Sequence, residues 1–433
     1  MKPFCCCLLL VTCSLGAAAQ DINKLIDERA DSVLAQVIEW RRALHQHPEL
    51  SDQEIHTAEF VVQQLQELGM EIHTNVGGHG VVAILRGKKP GPVVAIRTDM
   101  DALPVTERGN LPFASHDTAE LEGLTVGVMH ACGHDAHMAM LLGTAKVLAQ
   151  LRDRLPGTVV FLFQPDEEGT NADEPGGARR LIADGALDSP RVEAVFGLHI
   201  FSNIPVGDIL YKSGPMMASS DLVSIHVKGK SSHGSQPWFS IDPIVVSAQI
   251  IMGLQTIVSR QENIFKAPVV VTIGSVHSGN RFNIIPESTD LIGTVRTLDS
   301  GMRVDVLQRI QRTATDIAAA SGATADVAFQ SKTLVTYNDS ALTAEMLPAL
   351  RRAAGAEHVH PTTGMMVSED FSYYGLKAPT LFVFLGGMPA GADPAKVAFN
   401  HSPDFYIDDS RLDVGVKAFC HMVFDYAKLH PVR

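Results

Sequence analysis

Residues 129–137 read MHACGHDAH. A thiol, two imidazoles and a carboxylate fall between Cys132 and His137, just ahead of an apolar pattern through Met138, Leu141, Leu142, Ala145 and Leu148. That spacing predicts a helix with one buried face, which holds the loop before it in place. Gly133, between Cys132 and His134, lets the backbone bend sharply enough for neighbouring side chains to converge on one ion. Taken alone, the segment is equally a metal site or a buried cysteine beside a helix-start histidine. The partners available elsewhere in the chain decide between the two.

Apolar strand patterns occur at Val81–Leu85, Pro92–Ile96, Thr158–Phe163, Val192–Gly197 and Thr380–Leu385. Four of them end in acid or histidine. Pro92–Ile96 runs into Arg97-Thr98-Asp99-Met100-Asp101, and Thr158–Phe163 into Gln164-Pro165-Asp166-Glu167-Glu168-Gly169. Val192–Gly197 is followed by Leu198-His199, and Thr380–Leu385 by a loop reaching Asn400-His401-Ser402-Pro403. Open α/β sheets place their ligands at the carboxyl ends of strands, so one crevice beside Cys132 is expected.

The middle of the chain differs. Strand Leu222–Lys228, helix Pro243–Arg260, strands Val269–Val276 and Leu291–Leu298, helix Val304–Ala320 and strand Ala325–Thr333 follow a β-α-β-β-α-β order. That is the split arrangement of a small ferredoxin-like domain. The expected organisation is an α/β domain over residues 20–215 and 336–433, interrupted by an α+β domain over 216–335. From Asp21 to Leu68 the pattern is helical, and His45, His47 and Glu49 read as part of a capped loop between two helices.

A chain of 433 residues, 45% hydrophobic and 19% charged, is long enough for two cores. Residues 1–19 carry Lys2, an apolar run from Phe4 to Leu15, and Gly16-Ala17-Ala18-Ala19. This predicts a secretory signal cut after Ala19, hence a periplasmic or secreted protein. Leu10-Val11-Thr12-Cys13 resembles a lipoprotein box with Thr12 ill-suited to it, so no lipid anchor is expected. No later stretch reads as a membrane span. The signal holds Cys5, Cys6, Cys7 and Cys13, leaving Cys132 and Cys420 without a disulfide framework. Cys420, among Phe419, Met422 and Val423, reads as core. Net charge is −13, and −14 once Lys2 leaves with the signal (−13 − 1). An acidic surface of this size argues against nucleic acid or anionic membrane as the partner.

The candidate metal ligands are Cys132, His134, Glu168, His199 and His401. A hydrolytic two-metal centre needs several ligands, one of them shared, plus an open position for water. Thiolate and imidazole favour zinc, while the carboxylate tolerates manganese or cobalt. In the adjacent pair Glu167-Glu168, one carboxylate can ligate while Glu167 takes a proton from water and passes it to the leaving amine. The alternative is a solvated pair on a turn.

RTDMDALP, MHACGHDAH, FQPDEEG, GLH, MMVSEDFSYY and NHSPDF together resemble the M20 metallopeptidase family. The likeness is to its amidohydrolase branch, with hippurate hydrolases, N-acyl-amino-acid amidohydrolases and auxin-conjugate hydrolases. The resemblance implies an α/β metallopeptidase-type catalytic domain interrupted by a lid and dimerisation domain, and two divalent ions per subunit. It implies Cys132, His134, Glu168, His199 and His401 as ligands, with Cys132 bridging, and Glu167 as general base. Relatives outside the branch have a histidine ligand where Asp99 stands, which accords with His134 taking over.

The resemblance places His233 of SSHGSQPW as a lid histidine that polarises the scissile carbonyl, often from a partner subunit. It places Asn283 as a second polar lid residue and Arg296 as the cation for a substrate carboxylate. Trp238 stands where a second histidine is usual and would offer an aromatic wall for bulky apolar groups. Val367 replaces a usual glycine ahead of Glu369, which leaves Glu369 a weak candidate.

The expected activity is hydrolysis of the amide of an N-acyl amino acid or similar conjugate by an exported homodimer. A dipeptidase or carboxypeptidase using the same site is the near alternative, since both present a carboxylate beside the amide. A periplasmic binding protein without catalysis would have no use for Glu167. A Cys132 nucleophile paired with His134 would leave Glu167, Glu168, His199 and His401 without a role.

Overall fold

The computed structural model describes residues 21–169 and 176–432, and the expected export signal at residues 1–19 lies outside them. Eight strands form a mixed sheet in the order Glu71–Val76, Gly80–Arg86, Pro156–Gln164, Lys89–Asp99, Ala194–Pro205, Thr380–Met388, Ile209–Tyr211 and Val359–Pro361. The four strands from Pro156–Gln164 to Thr380–Met388 pair in parallel. Their runs Val159–Phe163 and Leu381–Leu385 are buried on both faces, which is why they read as continuous rather than alternating apolar stretches. Register sets Asp99 beside Gln164 and His199 beside Phe384, so the acid- and histidine-bearing ends lie together.

Helix His134–Gln150 lies under this sheet. The expectation of a single buried face is corrected: nearly every residue from His134 to Leu148 is buried. The sheet covers one side, while helices Ile22–Gln46 and Asp413–Leu429 cover the other, and a helix enclosed in this way is apolar all round. Gly143 permits the close approach, because a Cβ there would lie 2.6 Å from Val37 Cγ2. Glu49 accepts from the backbone N–H groups of His56 and Thr57, at 3.1 and 2.8 Å, and so caps helix Ile55–Gln66. Cys420 is fully buried in the last helix.

Strands Ser219–Lys228, Val269–Ser278, Ser288–Thr297 and Thr324–Thr333 form a separate antiparallel sheet. Helices Pro243–Thr256 and Ser300–Ala320 cover one face of it, burying Val223, Ile225, Val246, Ile250, Leu291, Val306 and Ile310. Asp242 accepts from the N–H groups of Ile244 and Val245, and Pro243 takes the first helical position. One sequence expectation is corrected here. By length and composition alone, Pro243–Gln261, an α-helix ending in a π turn and spanning 19 residues, is long and apolar enough to cross a membrane, contrary to that expectation, but it packs against the smaller sheet. Its apolar character has two sources: Val246, Ile250, Leu254 and Ile257 pack into the small core, while Ile244, Val245 and Met252 face outward.

Candidate metal centre

Gly133 precedes helix His134–Gln150 with φ of 96°, and a Cβ there would lie 2.5 Å from Ile200 Cγ2. This left-handed turn aims Cys132 and His134 at one point. His134 Nδ1 donates to the Asp101 carbonyl oxygen at 2.8 Å, with the Asp101 carboxylate 3.3 Å away. Its Nε2 faces Asp99 at 3.8 Å and Glu168 at 4.0 Å and has no hydrogen-bond partner. His199 Nδ1 donates to the Ile200 carbonyl at 2.8 Å, which turns its Nε2 to 3.3 Å from Cys132 Sγ. His401 Nε2 lies 3.2 Å from the same sulfur and 3.1 Å from Glu168 Oε1. A carbonyl can only accept, so in their neutral form both backbone-bonded imidazoles carry the proton on Nδ1 and turn Nε2 towards the thiol and carboxylates.

His401 adopts the left-handed region with φ of 70°, an uncommon conformation for a residue with a side chain. Its N–H donates to Ala131 O at 2.8 Å, and the neighbouring Asn400 amide donates to Cys132 O and Ile200 O. Asp101 accepts from Ser51 Oγ at 2.6 Å and from the Glu168 N–H at 2.9 Å, fixing the loop that carries Glu167 and Glu168.

The donor set fits metal ions. Ligand atoms of Cys132, His134 and His199 lie within 4.8 Å of one another, as do those of Cys132, Glu168 and His401. The two groups share the thiol, and His134 Nε2 is a buried atom without a hydrogen-bond partner among the described residues. Electrostatics agree. Burial opposes a charged His134, yet Asp99, Asp101 and Glu168 outweigh it and push its pKa up to about 10. These carboxylates therefore favour positive charge at that position. Burial, reinforced by Glu168, Glu167 and Asp99, holds the Cys132 thiol well above its usual range, so it is no ready nucleophile without a cation beside it. Its close imidazoles are His199 and His401 rather than His134.

Glu167 stands half-buried beside this set. Burial, then Glu369, Glu168 and Asp370, hold its carboxyl well above the usual range, with Arg97 opposing. A cavity of about 950 Å³ opens over Cys132, Glu167, Glu168, His199 and His401, and its far wall carries Ser220, Arg296 and Thr333 of the smaller sheet. Arg296 donates to Ser368 Oγ at 2.8 Å and forms no ion pair among the described residues. His233, Asn283 and Trp238 do not line the cavity. His233 sits on the short strand Ser232–His233 against Ser235 Oγ, and Trp238 is 71% exposed beside Phe239.

The model of peptidase family M20/M25/M40 matches residues 95–425. The chain belongs to that family. It is 37% identical to thermostable carboxypeptidase 2 of Saccharolobus solfataricus, over 90% of this chain and 95% of that one. It is 43% identical to an N-acyl-L-amino acid amidohydrolase of Geobacillus stearothermophilus, over 72% of this chain and 79% of that protein. Among solved structures it is similar to a dinuclear metal-binding peptidase of the M20 family from Bacillus subtilis. That match has 36% identity and a TM-score of 0.75, and covers 92% of this chain and 99% of the other. This M20 chain is thus a hydrolase of amide bonds, with a catalytic domain and a lid.

Residues that the sequence reading missed surround the M20 site. Arg97 is fully buried and donates to Gln164 at 2.9 Å, Asp99 at 2.8 Å and Asp370 at 2.8 Å, with Glu369 2.9 Å away. The strand alternation that puts Arg97 and Asp99 on one face was available from RTD. His137 shares the helix face of His134, but its Nε2 accepts the Ile200 N–H at 2.8 Å and its Nδ1 donates to Asp99 at 2.6 Å. Both nitrogens are committed. Elemental analysis should therefore find the metal content of His137→Asn close to that of the parent, while His134→Asn loses at least one ion.

His130, in the same motif, is buried, and neither ring nitrogen has a hydrogen-bond partner among the described residues. Burial outweighs Asp135 and lowers its pKa to about 3. The unfolded chain then binds a proton below about pH 6.5 that the folded chain refuses, so stability falls as pH drops from there towards 3. Between pH 6.5 and 4 this amounts to roughly 3 kcal/mol. Urea titrations should show that much less acid sensitivity in His130→Leu than in the parent, and equal slopes would refute the assignment.

Proposed function

We propose that this chain is an exported metal-dependent amidohydrolase acting on N-acyl amino acids or similar small conjugates. In this reading Cys132, His134, Glu168, His199 and His401 hold two divalent ions, zinc foremost with manganese or cobalt as alternatives, and Cys132 serves both. Ions bound there would acidify a water and polarise the scissile carbonyl. Glu167 takes the proton of the attacking water and returns it to the leaving amine, a cycle suited to a carboxyl held well above its usual range. Arg296, on the opposite wall and without an ion-pair partner among the described residues, receives the carboxylate next to the amide. The observation that carries the reading is that Cys132, Glu168, His199, His401 and Glu167 line one cavity, with the ligand atom of His134 within 4.8 Å of those of Cys132 and His199 and of those of Glu167 and Glu168.

Export is supported by the pattern of residues 1–19. Pairing of two copies through the smaller unit would supply His233 and Asn283 to the cavity of the other copy, which accords with their place outside it in a single chain. A carboxypeptidase or dipeptidase reading draws on the Saccharolobus relative. Hydrolysis of a panel of N-acyl amino acids and dipeptides separates them: at least tenfold higher kcat/KM for the acyl amino acids supports the first, and the reverse order supports the second.

A further inference from the structure

The wall of the cavity beyond the metal centre carries three cations, Arg179, Arg296 and Lys332. Among the described residues, no carboxylate lies within ion-pair distance of any of them. The described acids that line the same cavity are engaged elsewhere: Glu167 and Glu168 belong to the centre, Glu369 and Asp370 hold Arg97, and Asp166 accepts from the Gly177 N–H. Tyr373 touches the Arg179 guanidinium and the backbone of Lys332. The Arg179 guanidinium lies 5.3 Å from the centre of the Tyr373 ring, and the Tyr373 hydroxyl donates to the Lys332 carbonyl at 3.0 Å. Tyr373 is itself buried, so it gives the Arg179 guanidinium and the Lys332 backbone a fixed neighbour.

The backbone accounts for the placement of Lys332. Ser220 pairs with Thr333 and Asp221 with Ser331, so Lys332 is the extra residue of a β-bulge. Bulges beside active sites re-aim a side chain that regular pleating would direct elsewhere. Arg296 pairs with Ser220 on the other side, which puts it two strand spacings, roughly 10 Å, from the bulge. The cations thus form two separate centres across the cavity: Arg296 on one side, Arg179 with Lys332 on the other.

We propose that Arg179 and Lys332 form a second anion subsite, and that the preferred substrate carries a carboxylate there besides the one that Arg296 receives. The inference rests on the amidohydrolase reading of the same cavity. The second carboxylate belongs either to the amino-acid side chain, as in an N-acyl glutamate, or to the far end of a dicarboxylic acyl group.

The test uses the metal-loaded protein. Calorimetric titration with glutarate and with butyrate reads the second carboxylate without any need for turnover. Glutarate should bind about tenfold more tightly than butyrate, as two exposed charge-assisted contacts allow. In R179Q/K332Q the ratio should fall to about one. A ratio near one in the parent, or one that survives the double substitution, overturns the proposal. Turnover then locates the group. A kcat/KM preference for N-acetyl-L-glutamate over N-acetyl-L-glutamine places it on the amino acid, and one for N-succinyl-L-leucine over N-acetyl-L-leucine places it on the acyl group. If no amide is cleaved while the glutarate ratio collapses as expected, the subsite stands and the amidohydrolase reading fails. Both side chains are exposed, so the variants should fold, and each single substitution should give about half the effect on a logarithmic scale.

Discussion

Glu167→Gln should lower kcat by about 10² to 10⁴ while the metal content stays that of the parent. The amide keeps the size and most hydrogen bonds of the carboxylate but cannot take a proton. Asp370 N–H still reaches the side-chain oxygen, at 3.4 Å in the parent, so the loop should keep its shape. Glu168, the neighbouring proposed ligand, is anchored separately through its own N–H to Asp101. Chemistry and metal binding are thus carried by adjacent residues and can be separated. A Glu167→Gln protein with parental kcat would remove Glu167 from the mechanism, and one that had lost its metal would make Glu167 a ligand instead.

The second large effect is on stability. Arg97→Met should lower unfolding free energy by roughly 3 to 5 kcal/mol, because it leaves buried carboxylates uncompensated. Asp99, Glu369 and Asp370 all lie within 2.9 Å of this guanidinium, and its side chain is fully buried. Lysine should not rescue it, since a single ammonium cannot serve Gln164, Asp99, Glu369 and Asp370 in one plane. Urea denaturation of the parent, Arg97→Met and Arg97→Lys measures both. A loss below about 1 kcal/mol would mean that the acids are protonated or solvated without Arg97.

Arg97 also shows where sequence reading stops. The central strands were legible because burial on both faces writes itself as continuous apolar runs, as in Val159–Phe163 and Leu381–Leu385. Three of the five donors were legible beside glycine turns, Cys132 and His134 flanking Gly133 and Glu168 preceding Gly169, whereas His199 lies within strand Ala194–Pro205 and His401 in the loop well beyond Thr380–Met388. Arg97 meets Asp370 across 273 positions, and no local pattern marks such a partner. Glu369 looked weak because Val367 departs from the motif, yet it is almost fully buried against Arg97. The single apolar face assigned to His134–Gln150 was too narrow for a similar reason: the covering helices come from the two ends of the chain. Lid residues were the least legible, since His233, Asn283 and Trp238 were placed by resemblance and lie outside the cavity of one chain.

The central claim is a two-ion hydrolytic centre built on Cys132. Elemental analysis of the purified protein, coupled to hydrolysis of N-acyl amino acids before and after exhaustive chelation, tests it most directly. About two ions per chain, with activity lost on chelation and restored by zinc, manganese or cobalt, is the predicted result. Activity that persists in the metal-free protein would contradict it and return Cys132 to the role of a nucleophile.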